Sequence, residues 1–282
     1  MSKFIILKAN AKINLSLYIV GKFLNNLHKI ESIVSFIKLS DSIFVRKIKS
    51  KNHKVYFRGK FAKGISKKNT ITNLLNLLED RNLLNDKYEI KVIKNIPQES
   101  GMGGGSMNAA CLINYFLKKK IIKIDKKEII NISKLIGFDV IFGIKPKTSI
   151  ISSNGKLTKF NKKFNYHVLI AKPNFGCSTK LIYSKVKKFS KPKYNSPSEL
   201  LLRNKNIVVS ENKLETIAFK MYPKLKILKL YLSKLPNVIF VRMSGSGSTI
   251  LAYFYSNKAS NVARRELRKK FNTYWCITSK TI

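Results

Sequence analysis

The chain has 282 residues, 44% of them hydrophobic, enough to bury one large core or two of ordinary size. Its 56 Lys and Arg against 14 Asp and Glu give a formal net charge of +42, while Cys111, Cys177 and Cys276 stand far apart with no CxxC pair. That spacing excludes a usual zinc site and argues against a disulfide framework.

In chain order, residues 11–20 (AKINLSLYIV) alternate Ile13, Leu15, Leu17 and Ile19 with Asn14, Ser16 and Tyr18, the period-2 pattern of a half-buried strand. Further strands are predicted at 32–38, 42–48 and 53–58. Residues 70–81 carry Ile71, Leu74, Leu75 and Leu78 on one helical face. A strand at 88–94 then leads into the glycine-rich stretch PQESGMGGGSMNAA (97–110) and an apolar helix over 109–120.

A helix at 126–136 runs into GFDVIFGI (137–144), followed by a strand or hairpin at 148–153 and the turn Ser153-Asn154-Gly155. The second half opens with a strand at 166–173 and holds three or four helices between 178 and 234. It closes with strands at 237–243 and 248–255, a helix at 257–271 and a strand at 273–278. The fold class is α+β in two layered parts, without internal repeats. The basic stretch 185–193 reads as a solvated loop.

No basic segment followed by an apolar run and a small-residue cleavage site opens the chain, so no secretory leader is expected. The longest uncharged window, Ser100 to Leu117, contains the glycine loop and is no membrane span. The expected compartment is the reducing cytoplasm.

So high a positive charge raises nucleic-acid binding as a rival reading. Yet 48 of the 56 basic residues are lysine and they are spread along the chain. Lys, Asn and Ile share A- and T-rich codons, so biased base composition is the plainer cause. Recognition surfaces favour clustered arginine. The charge would still steer anionic substrates.

The glycine stretch is the strongest chemical signal. Gly101, Gly103, Gly104 and Gly105 allow φ > 0 and close approach to a ligand, and Ser106 and Asn108 begin a helix whose unpaired N–H groups and positive dipole end suit an anion. The loop lacks the Lys-Ser/Thr of a Walker loop and is not GxGxxG. A flexible turn is the bland alternative. Asp139 sits within the apolar run Phe138 to Phe142, where a carboxylate must find a partner; the bland reading there is a turn cap after Gly137.

Three segments, AKINLSLYIVGK, PQESGMGGGSMNAA and RMSGSGSTILA (242–252), occur in an order that resembles the GHMP small-molecule kinases. The resemblance implies a two-domain GHMP kinase fold. Its N-terminal part, over 1–153, would be ribosomal S5 domain 2-like and carry the phosphate loop, and its C-terminal part, over 154–282, would be ferredoxin-like. It also implies ATP and Mg²⁺ as cofactors, with the magnesium ligands left open.

By the same resemblance Lys12 and Asp139 are catalytic and meet, with Asp139 taking or orienting the proton of the acceptor hydroxyl. ATP would be bound by Asn69, Pro97, Gly101, Met102, Gly103, Gly104, Gly105, Ser106 and Asn108. Substrate would be bound by Asn14, His28, Thr179 and Tyr183, and Ser244-Gly245-Ser246-Gly247 would support the phosphate loop.

Lys12-Ile13-Asn14-Leu15 with Gly21 and His28 resembles the branch that phosphorylates a cytidine diphosphate ester of a branched polyol in isoprenoid-precursor synthesis. The partner would then be that small molecule, with neither membrane nor specific nucleic acid, on a monomer or homodimer. Three departures stand out. Asn26-Leu27-His28 replaces a Gly-Tyr-His element, so Leu27 cannot stack on a base. Glu99 and Met107 replace small residues in the phosphate loop. Another GHMP kinase, acting on mevalonate, homoserine or a sugar, and an RNA-binding protein on a related fold are the alternatives.

Overall fold

The computed structural model describes residues 3–24 and 26–282. It divides into two compact units, the first built from residues up to 12, 39–98 and 103–146, the second from 13–38, 99–102 and 147–282. The strands β1 (Ile5–Lys22) and β2 (His28–Ile48) pair with each other, and each contributes residues to both units.

In unit one, the end of β2 pairs antiparallel with β4 (Lys87–Ile93), Ser42 opposite Ile93, and β3 (Lys54–Arg58) runs parallel to β4. Four helices follow the chain: α1 (Thr70–Asp80), α2 (Gly104–Lys118), α3 (Lys126–Ile136) and the short α4 (Val140–Gly143). α1 buries its predicted face, Ile71, Leu74, Leu75 and Leu78. Asn69 starts it with a capping box, its side chain accepting from Ile71 and Thr72 N–H while the Thr72 hydroxyl accepts from Asn69 N–H.

In unit two, β2 pairs through Ser32–Val34 with β5 (Thr148–Ile151), which pairs in turn with β6 (Leu157–Phe160). A second, antiparallel sheet has the order β10-β7-β9-β8, from β7 (His167–Lys172), β8 (Phe240–Met243), β9 (Ile250–Phe254) and β10 (Trp275–Lys280). The helices are α5 (Thr179–Ser184), α6 (Asn204–Val209), α7 (Leu214–Met221), α8 (Pro223–Ser233) and α9 (Asn257–Lys270), with a 3₁₀ turn at Glu199–Leu202. Leu17, Ile19, Leu169, Leu214, Leu228, Phe254 and Leu267 meet in its core.

Three expectations are corrected. β1 is not half-buried: residues 11–19 are buried on both faces. Its polar face is covered because it is bonded. Asn14 Nδ2 donates to Ser32 Oγ at 2.8 Å, Tyr194 Oη donates to Ser16 Oγ at 2.9 Å, and Tyr18 Oη accepts from Glu211 N–H at 3.1 Å. The two strands predicted at 32–38 and 42–48 are one, β2, because the intervening residues stay extended. Helix α2 begins at Gly104, ahead of the apolar pattern at 109 that marked it, so Gly104 and Gly105 are helical.

A buried guanidinium shows how unit two closes its loops. Arg242, 4% exposed, donates to the carbonyls of Leu15, Ile207, Val208 and Ser210. Burial holds it below the usual arginine pKa. Among the described residues no helix is long and apolar enough to cross a membrane.

Candidate active site

In unit one, Gly103 holds the N-cap of α2 at φ 65°, a left-handed conformation that glycine adopts without steric cost. No side chain caps this end and its first turn has no acidic residue. The first-turn N–H groups and the positive end of the helix dipole therefore have no anion supplied by their own helix. Gly103 to Ser106 are partly or fully exposed, whereas Met107 to Ala110 are buried. Asn108 is 1% exposed and its Oδ1 has no hydrogen-bond partner. The far side of the turn is tied down, since Thr70 Oγ1 donates to the Gly105 carbonyl at 2.8 Å.

Lys12 and Asp139, 127 positions apart in sequence, meet here. Lys12 Nζ lies 3.1 Å from Asp139 Oδ2, with side chains 5% and 32% exposed respectively. The expected buried carboxylate is thus corrected: Phe138 beside it is exposed, and it is the lysine that burial confines. The turn-cap alternative fails, because Asp139 at the head of α4 makes no side-chain capping bond. A Cβ on Gly103 would stand 2.9 Å from Lys12 Cγ and 3.5 Å from Asp139 Oδ2. Glycine at this position is what lets the loop lie against the pair. A fixed cation, a half-exposed carboxylate and an open helix N-terminus together can hold an anion and take up a proton.

Asn69, predicted at the nucleotide, has its side chain engaged locally, donating to the Ser66 and Lys67 carbonyls and capping α1. Pro97 and Met102 are buried.

Unit two gathers the remaining predicted residues into three groups. Gly101, at φ 70°, packs so closely on the Ser244 carbonyl that a Cβ would overlap it, and Ser244 Oγ donates to the Gly101 carbonyl at 2.9 Å. Asn14 joins them, its N–H donating to Ser244 Oγ at 3.3 Å. Thr179 Oγ1 and Ser246 Oγ share a hydrogen bond at 2.8 Å. The His28 and Tyr183 rings lie 5.2 Å apart at 50°, and His28 Nε2 is buried without a hydrogen-bond partner. Burial first, and Lys22 second, hold the His28 pKa below the ordinary value, so the ring is neutral near pH 7. Leu27 is exposed.

Glu99 occupies the left-handed region at φ 47°. Its carbonyl accepts from Ser248 N–H at 3.2 Å and its side chain lies over Gly176, where a Cβ would strike it. The buried Lys172 ammonium, nearby, donates to the Pro173 and Phe175 carbonyls and frames the turn that carries Gly176. The unexpected carboxylate of the loop thus has a place of its own within unit two.

Sequence reasoning missed Asn212, whose Nδ2 donates to the Met243 and Gly245 carbonyls at 2.9 and 2.7 Å and so shapes the Ser244–Gly247 turn. Nothing in its local sequence signals that partner. It also missed Asp41 and Lys94, which form an ion pair in unit one.

The profile of the GHMP kinases N terminal domain matches residues 69–145 and that of the GHMP kinases C terminal domain residues 186–273. The chain is 55% identical over 277 residues to a 4-diphosphocytidyl-2-C-methyl-D-erythritol kinase of Pelagibacter ubique, covering 98% of both chains. It is 33% identical to the like-named protein of Petrotoga mobilis, covering 89% of this chain and 99% of that one. A crystal structure of a 4-(cytidine 5'-diphospho)-2C-methyl-D-erythritol kinase superposes with TM-score 0.79 at 22% identity, covering 98% of this chain and 99% of the other. Homoserine kinase from Cytophaga hutchinsonii superposes at 0.70 with 16% identity, over 100% and 98%.

The Glu99 and Gly176 contact predicts a coupled pair. Gly176→Ala should cost about 1–3 kcal/mol in chemical denaturation of the otherwise unchanged protein, and within about 0.5 kcal/mol of nothing in a Glu99→Gly background. Equal costs in the two backgrounds would show that the side chains do not compete for the same space.

Proposed function

The chain belongs to the GHMP kinases, and on that footing we propose that it transfers the γ-phosphoryl group of ATP to the 2-hydroxyl of 4-diphosphocytidyl-2-C-methyl-D-erythritol, releasing the 2-phosphate and ADP. The observation that carries the chemistry is the Lys12 and Asp139 pair held against Gly103. Likeness over nearly the whole chain to the Pelagibacter kinase supports the substrate.

The roles follow from exposure and charge. Asp139 is open enough to reach an acceptor hydroxyl and is the group that accepts or orients its proton. Lys12 is buried and fixed; its charge pairs with Asp139 and offsets negative charge on the transferring phosphoryl group. The exposed first-turn amides of α2 suit the β- and γ-phosphates. Positioning and electrostatics then supply the catalysis, with no covalent enzyme intermediate.

Magnesium belongs to this reading as ATP's counterion, neutralising the phosphate oxygens. The residues present fit that use. Among the described residues no cluster of three His, Cys, Asp or Glu forms a dedicated metal cage, whereas magnesium in kinases is held mostly by phosphates and water with one or two protein oxygens. Ser106, partly exposed in the first turn of α2, is the oxygen donor that would share it with the phosphates.

Of the side chains in unit two, the His28 and Tyr183 rings suit the cytosine end of the acceptor. A neutral imidazole with an unpaired ring nitrogen offers the base a hydrogen bond, and the tyrosine offers apolar contact. Thr179 with Ser246, and Asn14, are proposed as its polar neighbours. We place the reaction in the cytoplasm, consistent with three free cysteines.

The test is ADP release by purified protein with Mg²⁺ and ATP, with and without 4-diphosphocytidyl-2-C-methyl-D-erythritol. Substrate-dependent ADP is expected, falling about 10²–10⁴-fold in Asp139→Asn. In Gly103→Ala it should fall about 10²-fold through displacement of Lys12. Stimulation by mevalonate or homoserine alone would retain the kinase chemistry and overturn the assigned acceptor.

A further inference from the structure

A second buried lysine and carboxylate lie in unit one, and no step above uses them. Lys94, in the segment between β4 and the phosphate loop, pairs with Asp41 in the middle of β2; their side chains are 5% and 0% exposed. Asp41 does more than neutralise a charge. Its Oδ1 accepts from the N–H of Asn95 at 2.7 Å and of Ile96 at 2.9 Å, while Oδ2 takes the Lys94 ammonium. One carboxylate thus holds three successive residues.

Those residues bear directly on the start of α2. A Cβ on Gly104, the first helical residue, would stand 3.0 Å from Lys94 Nζ and 3.0 Å from Ile96 Cγ2. The neighbours on either side of Asn95 therefore form the surface on which the first turn rests. An ammonium beside the positive end of a helix dipole is unfavourable by itself. Asp41 offsets it and allows a buried cation to stay where the helix would bind an anion.

We propose that Asp41 is a positioning residue for nucleotide binding, acting through the Lys94 ammonium and the backbone of residues 95 and 96 to set the first turn of α2. This rests on the kinase reading above. The pair does not touch the acceptor's chemistry. Its loss appears in the binding of ATP.

The experiment compares Asp41→Asn, a near-isosteric change, and the double variant Asp41→Asn with Lys94→Met, in which neither charge remains buried. Steady-state kinetics give KM for ATP and for the acceptor separately, and calorimetric titration with a non-hydrolysable ATP analogue gives binding without turnover. The expected result for both variants is about a tenfold or greater rise in KM for ATP and in the analogue's Kd, with the acceptor KM within about twofold of wild type. The double variant tests position apart from stability, because removing both members of a buried pair is tolerated far better than removing one. Analogue binding as in the wild type overturns the proposal. So do equal rises in both KM values, or a fall in kcat that only tracks the folded fraction. A wild-type protein that does not bind the analogue overturns the kinase reading, and this proposal with it.

Discussion

A buried ammonium needs an anion close by, and the architecture of unit one is organised around meeting that need for Lys12. Burying such a charge unpaired costs several kcal/mol, so Asp139 must be brought to it across 127 positions of sequence. The short helix α4 presents the carboxylate, β1 presents the lysine, and a glycine at the head of α2 leaves room for both. Because Lys12 is enclosed and Asp139 is not, the pair has a fixed cationic member and an accessible basic one. That asymmetry divides the proposed roles.

The same logic recurs in the support beneath the loop. Asp41 binds one side chain and two backbone N–H groups, so a single carboxylate sets the course of residues 94–96. Unit two does the corresponding work with the Arg242 guanidinium and the Lys172 ammonium, and at one turn with neutral groups. Asn212 fixes the Ser244–Gly247 turn through two carbonyls, and Ser244 reaches the Gly101 carbonyl. Buried polar groups are well suited to this work, because each hydrogen bond specifies direction as well as distance and each unmet one is expensive.

Much of this was legible in the sequence where local pattern and local structure agree. The face of α1 follows from Ile71, Leu74, Leu75 and Leu78, and α3 spans the predicted residues. The phosphate helix was harder, since Gly104 and Gly105 are poor helix formers and hide its true start. In β1 the alternation of polar and apolar residues reported polarity correctly and exposure wrongly, because Ser32, Tyr194 and Glu211 bond to its polar face. The meeting of Lys12 and Asp139 was legible only through the family resemblance. Asp41 and Lys94, 53 positions apart, carry no motif. Glu99, a departure from the small residue the resemblance implies, is accommodated by the absence of a side chain at Gly176, a contact that no local pattern announces.

The central claim is that Lys12 and Asp139 act as one unit in phosphoryl transfer. A double-mutant cycle on kcat, with Lys12→Met, Asp139→Asn and the two combined, tests it most directly. If each group works only through the other, the double variant loses about as much as the more damaging single change. Losses that multiply would mean that the two side chains contribute independently, and the pair could not be the element on which transfer depends.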